Sequence, residues 1–193
     1  MGKEKTILIL ILLLGLGLRL VNLNQSFWLD EASQAQLSSL SLSQIWFNRA
    51  ADFHPPLFYF LAHFWLQFGR SEIWLRLLPV ASGVATIYLM YVFSRRLMPA
   101  FLLAIAPFHI YYSQEFRSYS LLCLLGTLAM YFLLSRKYIW LSLTNILLLY
   151  THYSSIFLIL SQMVYLIIYE KKLLKKYIIH NSLFMLLYLP WFP

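Results

Sequence analysis

Long apolar runs separated by short polar breaks make up most of this sequence. The runs cover residues 7–23, 73–94, 98–112, 119–135, 138–150, 154–169 and 177–192. A helix needs about 20 apolar residues to cross the roughly 30 Å hydrocarbon core of a bilayer. The pattern therefore predicts an all-α polytopic membrane protein with about seven transmembrane helices. Several runs are short, and the one that contains Pro99 and Pro107 predicts a kinked or partly re-entrant helix.

The polar and aromatic stretch at residues 24–72 is too charged for the hydrocarbon core and predicts one long outer loop. Pro55 and Pro56 precede a segment crowded with aromatic residues, which is typical of a helix that begins at a proline and lies among lipid headgroups. Residues 31–46 mix apolar residues with serine and glutamine. We expect interfacial amphipathic helices in this loop, within a single module that covers residues 1–193.

Composition supports the bilayer as the main solvent. Hydrophobic residues make up 61% of the chain and charged residues only 11%, against roughly 25% charged in a soluble domain. The net charge of +8 comes largely from short basic clusters between the apolar runs. That is the positive-inside pattern of a multi-pass protein, not a nucleic-acid-binding face. We expect an uncleaved first span, a cytoplasmic N-terminus and an integral location in the plasma membrane.

The acidic residues are segregated to one side of the predicted topology. Five of them fall in segments assigned to the outer face: Asp30, Glu31, Asp52, Glu72 and Glu115. Carboxylates that lie beside a bilayer but outside its core are placed for chemistry or recognition. The sequence thus indicates an enzyme face on the outer side of the membrane.

Each motif on this face has more than one interpretation. Asp30 and Glu31 suit a general base with a partner that orients it or binds a cation, and Asp30 also suits a helix cap. His54, in the segment DFHPP, suits a phosphate ligand, a metal ligand or a hydrogen bond to the loop. Glu115 and Arg117 suit a mutual ion pair, or a sugar or metal contact beside a phosphate clamp, or a headgroup anchor.

Two further arginines lie near the outer ends of predicted spans. Arg19 closes the first apolar run, and Arg76 lies within the first turn of the second. Long cationic side chains at such positions often extend to the lipid headgroups. Arg19 and Arg76 suit such a headgroup contact.

The motifs in their order resemble the GT-C superfamily of lipid-linked-sugar glycosyltransferases, in particular the N-terminal membrane module of the protein O-mannosyltransferase and aminoarabinose transferase-like branch (family 39 and 83 type). The resemblance begins at Arg19 and runs through WLDEA, DFHPPLFY, FGRSEIWLRLLP, YYSQEFRSY and YTHYSSIFL. Each motif alone is nonspecific. Five motifs in register cover nearly the whole chain.

The resemblance implies an inverting transfer of a sugar from a polyprenyl- or dolichyl-phosphate to an acceptor hydroxyl on the outer face. Asp30 would be the general base, with Glu31 as the second catalytic acid. Arg117 is the best candidate for the phosphate clamp and His54 the second, because cationic groups stabilise the leaving phosphate. Glu115, Tyr119 and Arg76 complete the expected substrate-binding set. No cofactor or metal is expected, and a divalent cation stays an alternative.

The resemblance also leaves alternatives open. The family continues beyond the seventh span, so we expect the later helices to be absent or supplied by a C-terminal partner polypeptide. A truncated or split non-catalytic membrane subunit, or a lipid-linked-sugar binding or transport protein, is the competing interpretation. A transporter would more naturally place ionisable residues at the bilayer midplane, whereas the acids here lie in predicted outer loops.

Overall fold

The computed structural model describes residues 2–47 and 54–191, and this part of the chain contains helices and turns but no β-strand. The expected all-α class is confirmed there, and Asp52 lies outside the described residues. The helices are α1 (Gly2–Leu20), α2 (Leu29–Ser38), α3 (Leu42–Phe47), α4 (Leu57–Trp65), α5 (Glu72–Ser94), α6 (Leu97–Ile105), α7 (Pro107–Ser113), α8 (Tyr119–Leu134), α9 (Tyr138–Thr151), α10 (Ser155–Tyr169), α11 (Lys171–Met185) and a closing 3-10 helix, Leu186–Trp191.

The helix bounds follow the apolar runs closely at most positions. The first and last runs are exceptions, because α1 begins at Gly2 and α11 begins at Lys171, and each helix takes in the basic residues that were expected to precede its run. Lysine is a good helix former, so these residues continue readily into the apolar sequence. Across the described residues, only Glu72–Ser94 is both long and apolar enough to cross a membrane by length and composition. The count of about seven spans stays a prediction.

Helix α5 is the centre of the bundle and contacts α1, α4, α6, α7 and α8. Ile11, Ile87 and Ala104 belong to a small core shared by α1, α5 and α6. A larger core joins α8, α9, α10 and α11, and a third lies around Phe58 and Phe116, next to the segment that precedes α5, which is the predicted outer loop. The outer loop is therefore packed against the helices by apolar contacts of its own.

Helix α6 ends at Ile105 and α7 begins at Pro107, so the predicted distortion of this run is a full break. Proline has no N–H and cannot continue the ladder of backbone hydrogen bonds. The Arg19 guanidinium donates to the carbonyl oxygens of Leu103 at 3.3 Å and Ala104 at 3.0 Å, on the α6 side of the break. Arg19 is fully buried. The interpretation of Arg19 as a headgroup contact is wrong, because the carbonyls at the break take its donors.

Large apolar side chains are exposed on several helices of the bundle. On α1, Leu10 and Leu13 are each 58% exposed, and on α10 Ile168 is 64% exposed. Exposed apolar surface of this kind is rare on monomeric soluble proteins and marks a contact with lipid or with protein.

Close helix packing at Gly83 predicts that a methyl group there destabilises the fold. A Cβ at Gly83 would lie 2.9 Å from the Ser113 Cβ, whereas a Cβ at Gly17 would meet nothing within 4 Å. We expect Gly83→Ala to lower stability by about 1–3 kcal/mol through overpacking. Gly17→Ala, also within an α-helix, is the matched control and should be neutral or slightly stabilising. Equal thermal unfolding midpoints for the two variants in detergent would contradict this packing.

Candidate functional site

The end of the bundle that carries the predicted outer loop is organised by a buried ion pair between Glu31 on α2 and Arg76 on α5. The Arg76 Nε donates to Glu31 Oε1 at 2.9 Å, and Arg76 Nη2 donates to Glu31 Oε2 at 2.5 Å. The Glu31 side chain is 1% exposed and the Arg76 side chain 7%. A two-point arginine–carboxylate contact fixes orientation as well as distance. The pair therefore locks the first helix of the outer loop onto α5.

The rest of the Arg76 guanidinium is also occupied. Its remaining donors reach the carbonyl oxygens of Leu23 at 2.8 Å, Gln25 at 2.5 Å and Ser26 at 3.5 Å, in the segment between α1 and α2. The Phe27 ring lies 5.1 Å from the Arg76 Cζ and covers the cation. With its donors used in this way, Arg76 holds the loop. Its donors have acceptors within the protein, so Arg76 keeps no free donor for a headgroup or a substrate.

The turn between α7 and α8 carries the residues QEFR. Hydrogen bonds join it to the segment at the end of α1 and to α2. The Gln114 side-chain amide donates to the Val21 carbonyl at 2.7 Å, just after α1. The Phe116 N–H donates to Glu31 Oε1 at 2.7 Å, and Arg117 Nη1 donates to the Asp30 carbonyl at 3.3 Å. Two charged segments that lie about 85 residues apart in the chain are thus held side by side.

A cavity of about 360 Å³ opens between these segments. Its lining is formed by Asn22, Gln25, Ser26, Trp28, Glu31, Arg76, Tyr111, Gln114 and Glu115. The lining combines aromatic rings with amide, hydroxyl and carboxylate groups, which is the mixture that binds a polar ligand such as a sugar.

Glu115 is the unsatisfied acid of this cavity. It is 7% exposed, and its Oε2 has no hydrogen-bond partner. Burial raises the pKa of Glu115, and the charges of Glu31 and Asp30 act in the same direction. A side-chain hydrogen bond with Tyr111 and the charge of Arg117 oppose the rise. No ion pair joins Glu115 to Arg117 among the described residues, so the cavity keeps one carboxylate oxygen available to a ligand.

Asp30 lies beside the cavity, next to the buried pair. It is half-buried and occupies the first turn of α2, whose N-cap is Trp28. No side-chain cap hydrogen bond is made at this helix start, so the alternative role of Asp30 as a cap is not what the structure shows. Glu31 differs from it, because both Glu31 oxygens accept hydrogen bonds from Arg76 or Phe116. Of the two adjacent acids, Asp30 is the one suited to proton transfer.

A second group of side chains, which we call the imidazole cluster, consists of His54, Arg117, Tyr119 and His152. The ring of His152 lies 5.3 Å from the ring of His54 and 6.2 Å from that of Tyr119. Arg117 is 5% exposed, and its Nε has no hydrogen-bond partner. Burial lowers the pKa of His152, and the nearby charges of His54 and Arg117 lower it further. The site thus has an acidic side and a basic side.

The structure brings together all seven residues expected at the site, in three settings. Glu31 and Arg76 pair with each other, and Glu115 lines the acidic cavity. Asp30 lies outside the lining but close enough for its charge to act on Glu115, and His54, Arg117 and Tyr119 lie in the imidazole cluster. Sequence reasoning missed Gln114, Tyr111 and His152 as parts of the site. Their positions in the sequence could have indicated them. His152 follows a run that ends on the predicted outer side, and Tyr111 and Gln114 belong to the segment YYSQEFRSY.

The described residues contain no group of three or more His, Cys, Asp or Glu side chains placed to hold a metal ion. The expectation of no metal, with a divalent cation as the alternative, stays a prediction. In comparisons with known proteins the chain matches no family model, no curated protein and no solved structure. The glycosyltransferase resemblance therefore also stays a prediction.

Loss of the buried ion pair is expected to cost much more than loss of an exposed one. Glu31→Gln leaves the Arg76 charge buried without a counter-charge, which costs about 3–5 kcal/mol. Glu170→Gln is the matched control, since the Arg136–Glu170 side chains are 62% and 34% exposed and such pairs contribute below about 1 kcal/mol. Unfolding by sodium dodecyl sulfate in mixed micelles measures both. Similar losses for the two variants would contradict the structural role of Glu31.

The raised pKa of Glu115 predicts a pH-dependent cost to stability. The folded protein binds this proton more tightly than the unfolded chain, so stability falls as pH rises from the ordinary value of 4.5 through the raised pKa. Glu115→Gln removes this cost. We expect the variant to have a higher thermal midpoint than the wild type at pH 7 and the same midpoint near pH 4. A variant that is less stable at pH 7 would show that the Glu115 charge is satisfied.

Proposed function

We propose that this protein is a multi-pass membrane glycosyltransferase that moves a sugar from a polyprenyl- or dolichyl-phosphate to an acceptor hydroxyl, with inversion, on the outer face of the plasma membrane. The observation that carries the proposal is the meeting of the DE and QEFR segments over one cavity. The buried Glu31–Arg76 pair and the Phe116 N–H hold the two segments together. An acid suited to proton transfer and a buried arginine with an unused donor lie on either side.

The chemistry needs one base and one cationic group. Asp30 takes the proton from the acceptor hydroxyl, whose oxygen then forms a bond to the anomeric carbon of the sugar. The bond from that carbon to the phosphate oxygen breaks, and its electron pair stays on the phosphate. The leaving polyprenyl phosphate gains one negative charge and needs no proton, so a general acid is not required. The proton ends on Asp30, and the charges balance.

The basic side of the site fits the leaving group. The Arg117 guanidinium can bind two phosphate oxygens in its fork, and its Nε has no partner within the protein. His54, in the same cluster, is a second donor. On the acidic side, Glu115 and Tyr111 suit the sugar hydroxyls and Trp28 the sugar ring. Glu31 and Arg76 act by positioning these groups.

The membrane assignment rests on composition and on the exposed apolar surface. Leu10, Leu13 and Ile168 expose more than half of their surface, and α5 meets the length and composition of a spanning helix. We infer that the seven apolar runs cross the bilayer, so that the QEFR turn and the outer loop lie on the same side. This arrangement would leave the prenyl chain of the donor among the helices, with its phosphate at the surface.

Removal of the base is the direct test. We expect Asp30→Asn to reduce transfer of radiolabelled sugar from a panel of polyprenyl-phosphate sugars in proteoliposomes by about 10²–10⁴-fold. Glu72→Gln is the matched control, because Glu72, like Asp30, is an acid in the first turn of a helix, but it is exposed, whereas Asp30 is half-buried and its charge acts on Glu115. It should keep wild-type activity.

The result that contradicts the proposal is equally specific. Both variants are first compared with the wild type by thermal midpoint, which separates a loss of folding from a loss of activity. If a folded Asp30→Asn protein transfers sugar as fast as the wild type, Asp30 is not the base. If the wild type binds the lipid-linked sugars but transfers none of them, the chain is a binding subunit instead.

A further inference from the structure

The protonation state of His152 follows from its contacts. The backbone N–H of Ser154 donates to His152 Nδ1 at 3.1 Å, and the Ser154 hydroxyl lies 2.8 Å from the same nitrogen. A backbone nitrogen only donates, so Nδ1 carries no proton. Both ring nitrogens donate in a protonated imidazole, so a ring whose Nδ1 accepts is neutral. Burial, with the nearby charges of His54 and Arg117, lowers the pKa of the ring, in the same direction. A neutral imidazole with an accepting Nδ1 carries its proton on Nε2.

The imidazole cluster is therefore a set of hydrogen-bond donors. It combines the Nε2–H of His152, the unpartnered Nε–H of Arg117 and the hydroxyl of the half-buried Tyr119. The three residues come from different elements: the α9–α10 turn, the QEFR turn and the start of α8. A buried guanidinium N–H without an acceptor is costly in a folded protein. A ligand oxygen is the acceptor that would satisfy it.

We propose that His152 binds the phosphate of the lipid-linked donor, donating from a neutral Nε2–H alongside the charged Arg117. The phosphate is assigned to the donor lipid on the basis of the proposed function. His152 adds a directed hydrogen bond without adding charge, and Arg117 supplies the charge. His152 is thus a binding residue in addition to those expected from the sequence.

Two substitutions separate this role from a structural one. The Asn side chain places an oxygen near the Nδ1 position, so His152→Asn keeps the acceptor for Ser154 and loses the donor. The Gln side chain places an amide NH₂ near the Nε2 position, so His152→Gln keeps the donor and loses the acceptor. The expected order is that His152→Asn binds a short polyprenyl monophosphate in nanodiscs about tenfold more weakly than the wild type. His152→Gln should stay within about threefold.

The reverse order, with His152→Asn binding normally and His152→Gln weakly, would overturn the proposal, because it would show that His152 only holds the turn before α10. Equal binding of the polyprenyl monophosphate and the corresponding free alcohol by the wild type would also overturn it. Competition by inorganic phosphate supports a site for phosphate oxygens in general. Preference for the monophosphate without such competition supports a site specific to the lipid-linked group.

The binding measurement also separates this inference from the proposed function. It needs no acceptor and no sugar transfer. If no donor sugar is transferred but the expected order of His152 variants holds, the glycosyltransferase proposal fails and the phosphate site stands. If transfer occurs and is lost in Asp30→Asn, while both His152 variants bind as the wild type does, the enzyme stands and the role of His152 is refuted.

Discussion

The buried contact between Arg76 and Glu31 is the interaction on which the outer end of this molecule depends. One guanidinium joins α5 to α2 and to the carbonyls of the segment that follows α1, and one carboxylate joins both to the QEFR turn. A buried charge is tolerated only when it is paired and its hydrogen bonds are made. The pair meets both conditions. Its carboxylate oxygens and guanidinium donors are therefore occupied within the protein, and they hold the neighbouring segments in fixed positions.

This division explains which side chains remain available. Glu31 and Arg76 are saturated, whereas Glu115 and Arg117 are almost as buried and each keep an unpartnered polar atom. Unpartnered groups raise the free energy of the folded state, and they persist where a ligand can satisfy them. The acidic cavity and the imidazole cluster are linked through Arg117, whose Nη1 donates to the Asp30 carbonyl. Under the proposed function, the first would bind the sugar and the second its phosphate.

The sequence predicts the helices well and the roles of the charged residues less well. Apolar runs locate α5, α8 and α9 because burial and helix formation depend on local pattern. The role of Arg19 depends on carbonyls at a proline break some 85 residues away, which no local pattern reveals. Glu31 and Asp30 are adjacent and chemically alike, and only their partners show which one is held by hydrogen bonds. His152 lies in the segment YTHYSSIFL, but no pattern in the sequence shows that its ring lies beside His54 and Tyr119.

The most direct test of the account is photo-crosslinking with a polyprenyl-phosphate sugar that carries a photoreactive group on the sugar, followed by peptide mapping. The sugar is expected to label the cavity lining, with adducts on Tyr111 or Gln114 and on Trp28. Adducts on the Arg95–Arg96 turn at the opposite end of α5, with none in the QEFR turn, would contradict the claim that the two charged segments form the sugar site.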